Sequence, residues 1–360
     1  MSGTSGDGID AVLVAFEGDS IHILETLFTP FQAALKTKFT SLFTPGDNEI
    51  DRMGEADNLL GQAYLKSVKD LLAKSGTATN DIKAIGLHGQ TIRHRPETTC
   101  PFTLQIGNPY YITHQLGIPV VNDFRRADMV LQGQGAPLAP LFHQALFSSQ
   151  ENNRAIINTG GIANISYLGK DGSLSGFDTG PANCLMDTWI NKHKKVGFDH
   201  NGDWASTGEI IESLLDSWLA DPYFIKEPPK STGREHFTLS RINPNDELEK
   251  FAPQDVQRSL CELTARSVAQ ALANFCPKTD QIFVCGGGAH NRLLMARLEA
   301  ICQLPVKSTE SLGVAPDWVE SVGFAWLAQA CITGTTVATG QITGASAPCI
   351  LGAIHPSPLR

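Results

Sequence analysis

Met1-Ser-Gly-Thr-Ser-Gly-Asp-Gly-Ile-Asp10 runs directly into the apolar stretch Ala11-Val-Leu-Val-Ala-Phe16. Glycines at 3, 6 and 8, hydroxyls at Thr4 and Ser5, and carboxylates at Asp7 and Asp10 crowd the segment before a strand. Such a loop turns sharply and offers bare backbone N–H groups to phosphate oxygens. Asp7 and Asp10 are placed to orient a magnesium ion through its water shell. Read alone, the same ten residues suit a disordered, glycine-rich terminus equally well. The rest of the chain has to decide.

Working outward, a second strand at Ile21–Leu27 follows Gly18 and Asp19, which reads as a hairpin. Apolar residues at helical spacing, among them Leu60, Tyr64, Leu65, Val68, Leu71 and Leu72, predict a helix over about 51–75. Short strands are expected at 82–87, 102–106 and 118–123, with a helix at 109–116 between the last two. From Arg154 a strand, a Gly-Gly turn and another strand repeat the opening order, followed by a helix from about 182 to 194. The segment 197–253 is rich in Pro, Gly and Asp and reads as irregular binding loops. Helices at 255–275, 291–302 and 319–332 and a strand at 281–285 complete the chain. The fold class expected is α/β, in two related domains facing a cleft. The first takes residues 1–130 plus 336–360, and the second 131–335.

Composition narrows the function. The 360 residues are 42% hydrophobic and 18% charged, normal for a globular protein, and the net charge of −9 disfavours nucleic acid as a partner. No run reaches the ~18–20 apolar residues of a membrane span. The eight cysteines form no CxxC pair, and several lie in apolar runs, as in Ile-Phe-Val-Cys285. That pattern fits reduced thiols, and with no signal peptide read before residue 11 the expected location is cytoplasmic.

Three glycine turns adjoin apolar strands: Gly3–Gly8, Asn158-Thr-Gly160-Gly161, and Gly286-Gly287-Gly288. Together they fit one nucleotide better than three unrelated turns, with the first two on phosphates and the third against an adenosine. A Rossmann reading of the third turn fails, because Asn291 stands where its last glycine belongs. No Gly-Lys-Ser/Thr of a Walker loop occurs. Asp178, in Phe177-Asp-Thr-Gly-Pro181, reads as either a general base or a turn carboxylate before a helix. His88, Gln90, Asp123 and Arg125 lie at strand ends, where α/β folds place their sites. Arg125 offers a fork for a carboxylate, and Arg126 does so equally. Glu320 on an apolar helix reads as a site carboxylate or as a buried, paired one.

Met1-Ser-Gly-Thr-Ser, His88-Gly-Gln-Thr91, Asn122-Asp-Phe-Arg125, Asn158-Thr-Gly-Gly-Ile-Ala-Asn164, Phe177-Asp-Thr-Gly-Pro181, Gly286-Gly-Gly-Ala-x-Asn291 and the Glu320 helix resemble, in order, the anhydro-N-acetylmuramic acid kinase family. The resemblance implies the actin/sugar-kinase/DnaK-type ATPase fold, two ribonuclease-H-like domains with ATP between them. It implies conversion of 1,6-anhydro-N-acetylmuramic acid, ATP and water into N-acetylmuramic acid 6-phosphate and ADP, in cell-wall recycling. Carried onto this sequence, it makes Asp178 the base that activates water and Glu320 a second catalytic carboxylate. ATP would be held by Gly3, Thr4, Ser5, Gly6, Asp7, Gly8, Ile9, Asp10, Gly160, Gly161, Gly286, Gly287, Gly288 and Asn291. The sugar would meet His88, Gln90, Asp123 and Arg125, the last through the lactyl carboxylate, and Asp7 would hold Mg2+ through water. The partner is a small sugar, with no membrane and no nucleic acid, and a homodimer is an assembly open to it. A partner-switching ATPase, another sugar kinase and a nicotinamide oxidoreductase are the competing readings. Two departures from the pattern stand out. The family carries a short apolar strand ahead of this Met, so an upstream start or trimmed numbering is expected here. Gly6 replaces a larger apolar residue and loosens the loop.

Overall fold

The computed structural model describes residues 1–3, 6–18, 20–233, 235–243 and 247–358. The chain divides into two compact units, one of Met1–Phe142 with Glu320–Arg360 and the other of His143–Val319.

In the first unit, β1 (Gly8–Glu17) and β2 (Ser20–Pro30) form the expected antiparallel hairpin, with Gly8 opposite Pro30 and a register shift between Leu13 and Val14. The helix Glu49–Ser75 buries Leu60, Tyr64 and Leu71 on one stripe. It stops at Gly76, whose left-handed φ of 68° lets its N–H reach back to Leu72 O. Beyond it the strand expected at 82–87 shrinks to β3 (Ile85–Gly86), because residues 79–81 make a single 3-10 turn. A strand the apolar pattern does not mark, β4 (Gln90–Arg95), pairs antiparallel with β5 (Phe102–Ile106). Buried and half-buried positions alternate from Gln90 to Arg93 and only Ile92 is aliphatic, so it has no continuous apolar run. β6 (Val120–Asn122) lies parallel to β3.

The second unit holds β7 (Arg154–Thr159), β8 (Ile162–Leu168), β9 (Leu174–Pro181), β10 (Gln281–Cys285) and β11 (Val306–Ser308), in the order β11-β10-β7-β8-β9. β7, β8 and β9 are mutually antiparallel, whereas β10 runs parallel to both β7 and β11. This mixed five-stranded order is that of a ribonuclease-H-like domain. Against the sheet the helices Asn183–Lys194 and Pro253–Phe275 bury Trp189, Leu260 and Val268 in one core with Ile157, Ile165 and Val284. The segment 197–253 is less irregular than its composition suggests, since it contains the amphipathic helix Glu212–Leu219.

β12 (Ala353–His355) returns to the first unit, antiparallel to β6, giving the order β12-β6-β3. Residues 131–142 and 320–335 belong with this unit, whereas the expected division put them in the second. The cause is aromatic packing: the Phe324 ring lies 5.3 Å from that of Phe124 and 6.0 Å from that of Phe142. A thiol is exposed at Cys100, on the β4–β5 connection, while Cys261, Cys276, Cys285 and Cys331 are buried. Burial pushes the Cys261 and Cys276 thiols up to about 12.

Two glycines separate close packing from helix propensity. A Cβ on Gly86 would sit 2.5 Å from the carbonyl oxygen of Phe324, whereas one on Gly54, in the helix Glu49–Ser75, meets nothing within 4 Å. Gly86→Ala is expected to cost about 1–3 kcal/mol by overpacking. Gly54→Ala is expected to add about 0.5–1 kcal/mol by restricting the unfolded chain. Urea unfolding midpoints read both, and equal shifts in one direction would refute this packing account.

Candidate active site

In the second unit two of the glycine turns meet. Gly286, at φ 74°, packs so tightly that a Cβ would lie 2.5 Å from Asn158 Oδ1, and one on Gly288 would lie 2.5 Å from Thr159 Oγ1. Thr159 Oγ1 donates in turn to Cys285 O at 2.9 Å. The carbonyls of Gly160 and Gly161 accept from the N–H groups of Asn183, Ala182 and Cys184 at the start of the helix Asn183–Lys194. Because a trans peptide points its C=O and N–H oppositely, the amides of Gly161 and Ile162 face away from that helix. A Cβ on Gly160 or Gly287 would have no neighbour closer than 3.7 Å, so both turns present open backbone. Asn291, placed on the nucleotide by its motif, turns its Oδ1 onto Leu294 N–H as the N-cap of the helix Arg292–Cys302.

Across β7, β8 and β9 the register aligns Asn158 with Asn164 and Asn164 with Asp178, a polar row across three strands. Asp178 is held from the loop that follows Tyr223. Thr232 N–H donates to its Oδ2 at 2.9 Å, its own N–H donates to Lys230 O, and the Tyr223 hydroxyl donates to its carbonyl. Lys230 is buried, donates to the Tyr223 and Phe224 carbonyls at 3.2 Å, and lies over the rings of Tyr223 and Phe275. Burial raises the Asp178 carboxyl to about 6 against the opposing pull of Thr232 N–H and Lys230. The carboxylate is thus ionised at neutral pH yet basic enough to take a proton. Thr232, Tyr223 and Lys230 escape a sequence reading, lying 45 to 54 residues from Asp178 in a segment without periodicity.

The first unit gathers other expected residues. Arg125 donates through Nε and Nη2 to His88 Nε2 at 3.2 and 2.9 Å, and through Nη1 to Gly135 O at 2.8 Å. His88 is therefore neutral, its proton on Nδ1 donated to Gly89 O, and burial together with Arg125 holds its pKa well below the usual value. Burial lowers Arg125 to about 10, opposed by the Glu320 and Asp128 carboxylates. Glu320 is pushed up by burial and by Asp10, and pulled down by Arg125 and the Met1 amino group. The Nε–Nη2 edge of Arg125 thus holds His88, where the motif reading put a sugar carboxylate. Asp123, at φ 55°, pairs with Arg126 at 2.6 Å. Gln90 is buried, its Nε2 donating to Gly3 O, and among the described residues its Oε1 has no hydrogen-bond partner. Asp7 is exposed and bound by Lys36 Nζ at 3.0 Å. Gly6 takes φ 61°, which explains a glycine there; Gly8 and Ile9 are buried, and Thr4 and Ser5 lie outside the described residues.

A family model described as anhydro-N-acetylmuramic acid kinase matches residues 1–357. The chain belongs to that family. Proteins named anhydro-N-acetylmuramic acid kinase from Coxiella burnetii, Acinetobacter baylyi and Nitrosomonas europaea are 47%, 46% and 44% identical to it. The matches cover 99%, 98% and 99% of this chain and 96%, 97% and 98% of those proteins. Among solved structures, an activator of 2-hydroxyisocaproyl-CoA dehydratase from Clostridium difficile with bound ADPNP is similar at 13% identity, with a TM-score of 0.43 over 84% of this chain and 85% of its own.

For an anhydro-N-acetylmuramic acid kinase family member, the open backbone at Gly160 and Gly287 fits phosphate and nucleotide approach. Among the described residues no three His, Cys, Asp or Glu side chains are grouped to hold a metal ion.

Lys230→Met is expected to move the Asp178 pKa above about 6, since it removes a cation that favours the carboxylate. Carboxyl-carbon NMR titration of Asp178 measures this directly, and an unchanged midpoint would show that the ammonium is not felt.

Proposed function

We propose that the chain is an ATP-dependent kinase that opens the 1,6-anhydro ring of 1,6-anhydro-N-acetylmuramic acid with water and phosphorylates O6. Family membership supplies the substrate, and the carrying observation is Asp178, a clasped carboxyl raised to about 6 by burial. Asp178 takes a proton from water as the water oxygen bonds to C1. The C1–O6 bond breaks, and the electron pair it leaves on O6 attacks the γ-phosphorus. ATP supplies the phosphoryl group, ADP leaves, and the proton on Asp178 passes to solvent. Asp178 N–H and carbonyl are both tied, to Lys230 O and the Tyr223 hydroxyl, so the carboxylate keeps one direction during the step.

The glycine turns at 160–161 and 286–288 hold nucleotide by backbone, since their Cα faces lie open or pack on Asn158 and Thr159. Gly3, Gly6 and Gly8 with Thr4, Ser5, Ile9 and Asp10 are assigned the phosphates, and Asp7 a water-carried Mg2+. His88, Gln90, Asp123 and Arg125 are assigned the sugar side. There His88 and Arg125 act as one hydrogen-bonded unit, and the Gln90 Oε1 suits a substrate donor. Glu320 is assigned as a second catalytic carboxylate, kept close to Arg125 in charge balance. No helix among the described residues is long and apolar enough to cross a membrane. A cytoplasmic location and a homodimer complete the proposal.

Incubation with ATP and the anhydro sugar in H2(18)O tests the reaction. The expected product is a sugar 6-phosphate with 18O at C1; ATP hydrolysis without sugar phosphate would refute it. Asp178→Asn is expected to keep both ligands and lower turnover by about 10²–10⁴-fold. The wild-type turnover should fall about tenfold per pH unit below about 6, because protonated Asp178 cannot act as base. A flat profile from pH 7 down to 5 would remove Asp178 from that role.

A further inference from the structure

Where the two glycine turns of the second unit meet, one polar side chain stands beside both. Asn183 opens the helix Asn183–Lys194. Its own N–H and those of Ala182 and Cys184 are spent on the carbonyls of Gly160 and Gly161, so these amides are closed to a ligand. The carboxamide is half-buried, and its Nδ2 donates to Thr159 O at 2.9 Å. Thr159 is pinned in turn, since its hydroxyl donates to Cys285 O at 2.9 Å. A Cβ on Gly287 would lie 3.7 Å from the same Nδ2, with no other atom within 4 Å. Asn183 is therefore bonded to the turn at 160–161 and faces open backbone on the turn at 286–288.

The bond to Thr159 O settles which end of the carboxamide is which, because only the NH2 group can donate to a carbonyl. Oδ1 then points away from Thr159 O, and among the described residues nothing donates to it. A carboxamide oxygen accepts and never donates. It repels phosphate oxygens, which are acceptors too and carry negative charge. Among the groups of ATP, the ribose hydroxyls and the adenine 6-amino group are the donors. With phosphates at 160–161 and adenosine against 286–288, the ribose is the part that lies between the two turns, level with Asn183.

We infer that Asn183 reads the sugar of the nucleotide: its Oδ1 accepts a hydrogen bond from a ribose hydroxyl of ATP and sets a preference for ribonucleotides over deoxyribonucleotides. The inference rests on the ATP-kinase reading above and adds to it the residue that selects the nucleotide sugar. Asn183 touches the ligand and no reacting atom, so its role is specificity. The anchor on Thr159 suits it to that role. With Nδ2 held, the carboxamide cannot rotate freely, and Oδ1 keeps one direction before the nucleotide arrives. Such preorganisation lowers the entropic cost of forming the bond.

Calorimetric titration of the full-length protein with ATP, 2′-deoxy-ATP and 3′-deoxy-ATP in magnesium buffer tests the inference. One of the two deoxynucleotides is expected to bind about 3–10-fold more weakly than ATP, the worth of one hydrogen bond. Asn183→Ala should weaken ATP and bring the ratio between that deoxynucleotide and ATP down to about one. A residue that served only to hold Thr159 would instead weaken all three nucleotides alike and leave the wild-type ratio in place, which overturns the inference. Equal affinities of the wild-type protein for all three overturn it as well, and leave the kinase reading standing. A wild-type protein that binds no ATP overturns both. The wild-type comparison needs no variant, so it decides the matter even where Asn183→Ala fails to fold.

Discussion

Asp178 is held largely out of water yet stays ionised at neutral pH, and those two conditions oppose each other. Removing a carboxylate from water raises its pKa, and a neighbouring cation or N–H lowers it. The second unit balances the two by bringing residues 223–232 back over β9, so that one backbone N–H and one buried ammonium temper the cost of burial. Lys230 reaches its place only because the Tyr223 and Phe224 carbonyls accept its protons and aromatic faces surround it. The sheet supplies the platform, and the loop sets the chemistry.

The first unit meets a related problem with a different device. Arg125 is enclosed, and its charge is shared among a neutral imidazole, a backbone carbonyl and the more distant carboxylates of Glu320 and Asp128. An imidazole that accepts from arginine cannot be protonated at the same nitrogen. The pair therefore behaves as a single cation whose position is set by the Gly89 and Gly135 carbonyls.

Much of this was legible in the sequence because the helices are long and periodic. Glu49–Ser75 and Pro253–Phe275 match the apolar spacing to within a residue or two at each end. The glycine turns and Asp178 announce themselves through residue type and order, and their setting in strand–turn–strand units follows. β4 was not legible, because its burial comes from pairing with β5 rather than from an apolar run. Nor were the unit boundaries, which depend on Phe324 choosing Phe124 and Phe142 as neighbours across long stretches of sequence. The partner of Arg125 was hidden for the same reason: spacing along a chain does not say which of two carboxylates or imidazoles a guanidinium will meet.

Cysteine placement has a practical consequence. Burial suppresses the thiolate at Cys261, Cys276 and Cys302, and thiolate is the form that alkylating reagents attack. Cys100 stands exposed on the connection that closes the β4–β5 hairpin, whose first residue is Gln90. A maleimide dye therefore marks that hairpin without an engineered site. Its emission becomes a natural optical reporter for events felt at Gln90 and its neighbours.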